Sequence, residues 1–316
     1  MRNRPDPAMM TRERPRWVPA RLARAGSKTS QVLGITRLAR RPARTALETR
    51  LERILITGAA GAIGSTLRAG LAGTYPLLRL TDVKPITDLA PGEEFLPAEL
   101  SDLAAMKSVT AGIDCVVHLG GVPREGPWDA ILPANIVGTY NVFEAARQAR
   151  VKRVVFASSN HVIGYHRAAK TVSIDAEPRP DSRYGASKMF GEALGRLYAD
   201  KHGMSVACLR IGSFRPRPET VRQLATWVSP RDMVQLVRRC IDASAFHFLV
   251  LYGVSNNTRA RWRNPAAATI GFAPQDNAEP HAEALPAAAG AGSPAALFHG
   301  GDFCALEFDG NLDAIE

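Results

Sequence analysis

An α/β fold built on a doubly wound parallel sheet is predicted by three features of the sequence. Short apolar runs alternate with helical stretches from about Leu51 to Ile211, a glycine-rich turn follows the first run, and the second run ends in an acid. Strand, glycine turn, helix and strand in that order open a βαβ unit. Repeating the unit gives parallel strands with helices on both faces.

In chain order, Arg53–Thr57 is the first strand, and Gly58-Ala-Ala-Gly61-Ala-Ile-Gly64 the turn. A helix follows over Ser65–Leu71. Leu77–Asp82 is the second strand, and Phe95-Leu96 marks a short third. Ser101-Asp102-Leu103 opens a helix reaching about Thr110, and Asp114–His118 is the fourth strand. Asn135–Ala149 is helical, with Ile136, Val137, Tyr140, Val142 and Phe143 apolar. Arg153–Ser158 is the fifth strand, Tyr184–His202 a long helix and Ser205–Ile211 the sixth strand. Beyond Ile211 the rhythm breaks. Ser229-Pro230 reads as a helix N-cap followed by proline at the first helical position. Met233, Leu236, Val237, Cys240 and Ile241 then share one face. Phe248–Tyr252 is a further strand. Ala266–Ala296, rich in Ala, Pro and Gly, is expected to be partly loose. The pattern is Rossmann-type, with a small C-terminal portion, residues 212–316, expected to supply most substrate-binding segments.

The charge is unevenly placed. Of 40 Lys and Arg residues, 13 lie in the first 50 positions, against 3 of the 30 acids. The rest of the chain is balanced at 27 basic and 27 acidic residues, so the folded part carries no nucleic-acid charge signature. Residues 1–50 lack a secretory apolar core. They read as a basic disordered arm or a mis-assigned start in preference to an Arg-rich targeting leader. A hydrophobic content of 46% supports a sizeable core. Cys115, Cys208, Cys240 and Cys304 have no CxxC spacing, which argues against a metal or redox motif and fits small core side chains in a reducing compartment. No apolar stretch is long enough to span a bilayer. The expected setting is cytoplasmic, without a nucleic-acid, membrane or metal partner.

The chemistry is concentrated in a few places. Gly58, Gly61 and Gly64 permit a tight turn and let backbone N–H groups approach a pyrophosphate at a helix N-terminus. Asp82, 18 residues after Gly64, can accept hydrogen bonds from an adenosine ribose and repel a 2′-phosphate, favouring NAD over NADP. Lys84 works against that preference. In Tyr184-Gly-Ala-Ser-Lys188 the i, i+4 spacing places phenol and ammonium on one helical face. A tyrosine near its reference pKa of about 10 is a poor base at neutral pH. A neighbouring ammonium and an oxidised nicotinamide would lower it. Ser158 and Ser159 end the fifth strand at the carboxyl edge, where such sheets bind ligands. Asn160 and His161 follow and could bond sugar hydroxyls; a purely structural role for His161 is equally open.

Several blocks resemble the extended short-chain dehydrogenase/reductases: Thr57–Gly64, His118-Leu-Gly-Gly121, Asn135–Asn141 and Tyr184–Lys188. More specifically, Phe156-Ala-Ser-Ser-Asn-His-Val-Ile-Gly-Tyr165, Tyr184–Glu192, Arg210-Ile-Gly-Ser213 and Arg222-Gln-Leu-Ala-Thr-Trp-Val-Ser229 are similar to bacterial uronate dehydrogenases. The likeness runs from about Leu51 to Gln275 and partly returns at Phe298-His-Gly-Gly-Asp-Phe303.

The resemblance implies oxidation of D-glucuronate or D-galacturonate at C1 by NAD, giving an aldaric acid lactone, in a homo-oligomer. It implies Tyr184 as base, Ser159 positioning the C1 hydroxyl, and Lys188 binding the nicotinamide ribose. Asn160 and His161 would contact sugar hydroxyls, Arg222 would hold the carboxylate, and Phe303 would lie on the substrate side. Gly58, Gly61, Ala62, Ile63, Gly64, Asp82, Asp102, Leu103, Leu119, Gly120, Gly121 and Ile211 would line the cofactor, with Tyr184 and Lys188. Pro123 departs from the pattern, standing where the family commonly has serine, which puts one substrate hydrogen bond in doubt. Two rivals remain: a nucleotide-sugar epimerase or dehydratase, for which the C-terminal part is short, and a non-catalytic dinucleotide sensor, which has no need of Ser159, Tyr184 and Lys188 together.

Overall fold

Seven strands pair into one parallel sheet. Its strands are β1 (Arg53–Thr57), β2 (Leu77–Thr81), β3 (Glu93–Phe95), β4 (Cys115–His118), β5 (Arg153–Ser159), β7 (Ser205–Ile211) and β10 (Phe248–Gly253), in the order β10-β7-β5-β4-β1-β2-β3. Two small parallel sheets flank it: β6 (Val172–Ser173) with β11 (Trp262–Arg263), and β8 (Ser213–Phe214) with β9 (Trp227–Val228). These are features of a computed structural model that describes residues 50–286, 290 and 292–315. The basic segment expected at residues 1–50 lies outside the described residues, apart from Arg50.

The strands are apolar on consecutive positions because both faces are covered, and successive side chains point to opposite sides. Ile54 and Ile56 pack with Leu67 and Leu71 of α1 (Ala62–Leu71) and with Met233 and Leu236 of α7 (Pro230–Asp242). Leu55, between them, packs to the other side. There Met106 of α2 (Leu103–Thr110), Val142 of α4 (Gly138–Gln148) and Leu194 of α5 (Arg183–His202) form the second half of the core.

Three local expectations change. The helix placed from Asn135 begins earlier, with α3 (Trp128–Ile131), and widens into a π turn over Leu132–Val137 before α4. Asn135 lies in that turn and clamps the Val122 backbone, accepting from its N at 2.7 Å and donating to its O at 3.1 Å. The third strand pairs over Glu93–Phe95, two residues early. The Ala-rich stretch, expected to be partly loose, packs closely as far as it is described at its start: Ile270, Phe272 and Ala278 are buried. The reason is Asp232, a fully buried acid that accepts from Gln275 N at 2.9 Å and Asp276 N at 3.0 Å. Residues 287–289 and 291 of that stretch lie outside the described residues. As expected, Ser229 caps α7, accepting from Asp232 N.

A buried ion pair underlies the carboxyl edge. Arg210 on β7 donates from Nε and Nη2 to the two oxygens of Glu192 on α5, at 3.0 and 2.9 Å, and Ser158 Oγ donates to the same carboxylate at 2.6 Å. Glu192 thus ties helix, β5 and β7 together beneath Ser159. Replacing it by alanine leaves a buried guanidinium without its partner. Glu192→Ala is expected to lower stability by about 3–5 kcal/mol, read from urea denaturation. A loss below about 1 kcal/mol would show that the pair does not hold the edge together.

Candidate active site

The carboxyl ends of β1, β4, β5 and β7 open into one cleft of about 1090 Å³, running from Asp82 to Phe303. Strand order reverses between β1 and β4, so the chain leaves these neighbours in opposite directions and the crevice forms there. At its base the glycine turn is shaped by contact. Gly58 has φ +69°, and a Cβ there would lie 2.7 Å from Gly120 N. A Cβ on Gly64 would stand 2.4 Å from Gly58 O, so the start of α1 can approach the turn only without a side chain. Thr57 Oγ1 accepts from Gly120 N at 3.2 Å and shares a hydrogen bond with His118 Nδ1 at 2.7 Å. Burial pushes the His118 pKa down to about 3, so this neutral ring is a structural brace between β1 and β4.

Asp82 sits at the end of β2 with its carboxylate folded back on the turn, accepting from Ala60 N at 3.0 Å and Lys84 N at 2.9 Å. Gly58, Gly61, Ala62, Ile63, Gly64, Asp82, Leu119, Gly120, Gly121 and Ile211 all line the cleft. Asp102 and Leu103 do not, and their assignment to the cofactor site is corrected. Asp102 is the N-cap of α2, its carboxylate accepting from Ala104 N and Ala105 N at 2.8 and 3.1 Å. The acid–leucine pair that reaches the cleft is Glu99-Leu100, three residues earlier.

The residues expected to form the chemical centre lie where β5 meets α5. Ser182 caps α5, and Glu125 accepts from Tyr184 N at 2.9 Å, so Tyr184 enters the helix at a fixed angle. Its phenol faces the Ser159 hydroxyl, which favours the phenolate. Lys188, one turn on, places Nζ 5.5 Å from the Tyr184 ring centre and 5.3 Å from that of Phe156. In the protein alone, burial pushes the Tyr184 pKa up to about 12, while the Ser159 bond pulls it back. Burial likewise pushes Lys188 down to about 8. In the protein alone desolvation therefore dominates; the lowering was expected from the Lys188 ammonium and an oxidised nicotinamide together.

The far end of the cleft collects the remaining predicted residues. Asn160, with its amide oriented to suit its neighbours, donates to Ile211 O and accepts from Arg222 Nη2, both at 3.0 Å. Arg222, just before α6 (Gln223–Thr226), donates from Nε and Nη2 to His299 O at 3.1 and 2.6 Å. His299 is itself fixed, accepting from Trp262 Nε1 at 3.2 Å and donating from Nε2 to Lys170 O at 3.0 Å. The ring of His161 stacks on Phe303 at 3.9 Å and 16°, and meets Tyr184 edge-on at 5.7 Å. Phe303 arrives because the segment before it runs along residues 164–168, with His299 N donating to His166 O and Gly300 N to Gly164 O, each at 2.9 Å. Pro123 also lines the cleft and offers neither hydroxyl nor N–H. Sequence reasoning missed Asp181, whose Oδ2 accepts from His161 Nδ1 at 2.7 Å, and the supporting roles of Asn135 and His299. Only the short interval between His161 and the Tyr184 motif hinted at Asp181.

A doubly wound parallel sheet with a glycine cradle, an acid closing β2 and a Ser–Tyr–Lys set at the β5 edge defines a dinucleotide-dependent oxidoreductase. The comparisons bear on which one. Residues 54–237 match the NAD dependent epimerase/dehydratase family. The chain is 41% identical over 259 residues to a uronate dehydrogenase of Pseudomonas putida, covering 81% of this chain and 96% of that protein. A solved uronate dehydrogenase from Agrobacterium tumefaciens, a mutant complexed with NAD, matches with a TM-score of 0.77 at 40% identity, covering 80% of this chain and 97% of that one. An NAD-dependent glucose-6-phosphate dehydrogenase of Haloferax volcanii is 36% identical over 248 residues, 72% of this chain and 94% of that protein. The chain belongs to the NAD-dependent epimerase/dehydratase family and, within it, to the uronate dehydrogenases. It is an NAD-dependent dehydrogenase, and the cradle at Gly58 and Gly64 fits the cofactor's pyrophosphate.

Lys188 yields a test of how the site is held. Its folded pKa lies below its unfolded value, so burying the ammonium costs stability below about pH 8, and that cost fades as pH rises toward the unfolded value. Without cofactor, Lys188→Met is expected to be more stable than the parent at pH 7, by on the order of 2 kcal/mol. The gap should shrink by pH 9.5. Paired thermal melts at the two pH values decide this, and a variant less stable at pH 7 would contradict it.

Proposed function

We propose that the enzyme oxidises a hexuronate, D-glucuronate or D-galacturonate, at C1 to the aldaric acid lactone. The observation that carries this reading is Arg222. Its guanidinium is half-buried in the cleft, and desolvation draws its pKa down. It bonds the His299 carbonyl and the Asn160 amide oxygen, and no described carboxylate comes within ion-pairing distance. A cation in the cleft whose hydrogen-bond acceptors are neutral, with Asp181 acting on it only from beyond ion-pairing distance, is costly in the protein alone. A substrate carboxylate relieves that cost by accepting from Nη1, the guanidinium nitrogen not engaged by His299 or Asn160. A neutral sugar would leave the cost in place.

The rest of the site suits the other end of such a sugar. Ser159 receives the C1 hydroxyl beside the Tyr184 phenol, and Tyr184 takes its proton. Asn160 and His161 face the ring hydroxyls, and Phe303 walls the His161 side. Bound in its oxidised form, NAD supplies the hydride acceptor and the positive charge that Tyr184 needs beyond Lys188. Lys188 holds the nicotinamide ribose. Pro123 withholds one hydrogen bond from the sugar, which weakens affinity at that hydroxyl without touching the reacting carbon.

Purified protein supplied with NAD should form NADH on glucuronate or galacturonate and form little on glucose or galactose. Equal rates on neutral sugars would remove the carboxylate from the reading. Tyr184→Phe should lower kcat by about 10³-fold or more, within the range for losing a general base. Its NAD affinity, from calorimetric titration, should stay close to the parent's. A variant retaining a tenth of the activity would exclude Tyr184 as the base. Arg222→Ala should reduce kcat/KM on uronates by about 10²-fold or more, again with NAD affinity preserved. Unchanged uronate kinetics would take Arg222 out of the substrate site.

A further inference from the structure

We propose that Asp181 is a positioning residue acting through His161: it fixes the proton on Nδ1 and so presents Nε2 to the sugar as a hydrogen-bond acceptor. The identity of the sugar rests on the uronate reading above; the placement of the proton does not. Asp181 lies in the loop before α5, and its side chain has no solvent-exposed surface. Its carboxylate can only accept, and each oxygen has a donor. Oδ1 accepts from Ser182 Oγ at 2.6 Å, and Oδ2 from His161 Nδ1 at 2.7 Å. The Cys304 thiol stands 3.9 Å from Oδ2 as a weak third donor. The backbone closes the remaining approach. A Cβ on Gly164 or Gly300 would fall 1.9 or 1.8 Å from Oδ2, so neither a side chain nor solvent reaches it from there.

Two consequences follow from that enclosure. First, were Nδ1 unprotonated, its lone pair would face a carboxylate oxygen in a dry pocket, an arrangement costing the desolvation of both groups. The pocket thus fixes a proton on Nδ1, and a neutral ring held in this way has its lone pair on Nε2. Second, the ring is held on three sides: Asp181 at Nδ1, Phe303 stacked on one face and Tyr184 at an edge. It can neither flip nor slide, and Nε2 has one direction open. A fixed acceptor selects a hydroxyl presented as a donor at that point, which gives Asp181 a hand in sugar discrimination without touching the sugar.

Two measurements test this. In sugar-free protein with ¹⁵N-labelled histidine, the His161 couplings should show the proton on Nδ1. A proton on Nε2 overturns the proposal, whatever the substrate proves to be. The second is a double-mutant cycle on glucuronate with Asp181→Asn, His161→Ala and the pair. Asp181→Asn should raise KM roughly tenfold, as the loss of one well-placed hydrogen bond would, with kcat reduced less and NAD affinity unchanged. Added to His161→Ala, it should change KM by less than about twofold. The same penalty in both backgrounds would mean a general structural role and would overturn the proposal. A parent enzyme inactive on every uronate would defeat the functional reading instead, and the labelling result would still decide the role of Asp181. If Asp181→Asn does not fold, the measurement on the unmodified protein decides alone.

Discussion

The close packing of the Gly58 turn against Gly120 is the contact on which the rest of this structure depends. It occurs where strand order reverses, between β1 and β4, and it sets how near the two connecting loops can come. Thr57 and His118 brace it from below, joining the two strand ends through one hydroxyl and one neutral ring. Because all seven strands run parallel, this fixed point also aligns the ends of β5 and β7, with Ser159 level with Ile211 across the ladder. The cleft is a consequence of topology and register before any catalytic side chain is considered.

Upon that frame the protein places charges that stability alone would not choose. Lys188 lies among Phe156, Tyr184 and the cleft, without a carboxylate partner among the described residues. Arg222 is enclosed and bonded to neutral acceptors. Elsewhere the same chain pairs buried charge with care, as Glu192 with Arg210 shows. The contrast separates structural from functional ionic groups. A paired buried charge holds elements together; an unpaired one within a cleft stores an interaction for a ligand that brings the missing charge.

The sequence disclosed what depends on local pattern. Consecutive apolar residues in Arg53–Thr57 signalled a strand buried on both faces, glycine spacing signalled the turn, and i, i+4 spacing put Tyr184 beside Lys188. What depends on placement was harder to read. Ala98-Glu-Leu100 and Ser101-Asp-Leu103 both offer an acid followed by leucine, and only the position of the sheet edge shows that the first faces the cleft while Asp102 caps a helix. The Ala-rich stretch looked loose because its order comes from Asp232, more than forty residues upstream. Asp181 carries no motif of its own, and its significance appears only when the fold sets it against His161.

These cases share a cause. A single buried acceptor organises several donors from distant segments: Asp232 gathers the chain after Phe272, and Asp181 gathers His161, Ser182 and the return of the C-terminal segment. Such hubs cost little in sequence signal, one acid each, because their donors are backbone groups or common side chains. Their structural effect is large, since a carboxylate left without donors in a dry interior is expensive. The donors are therefore drawn to wherever the acid sits. In this protein one such acid, Asp181, faces a histidine, and the direction it gives that ring toward the cleft is the packing constraint proposed to select the sugar.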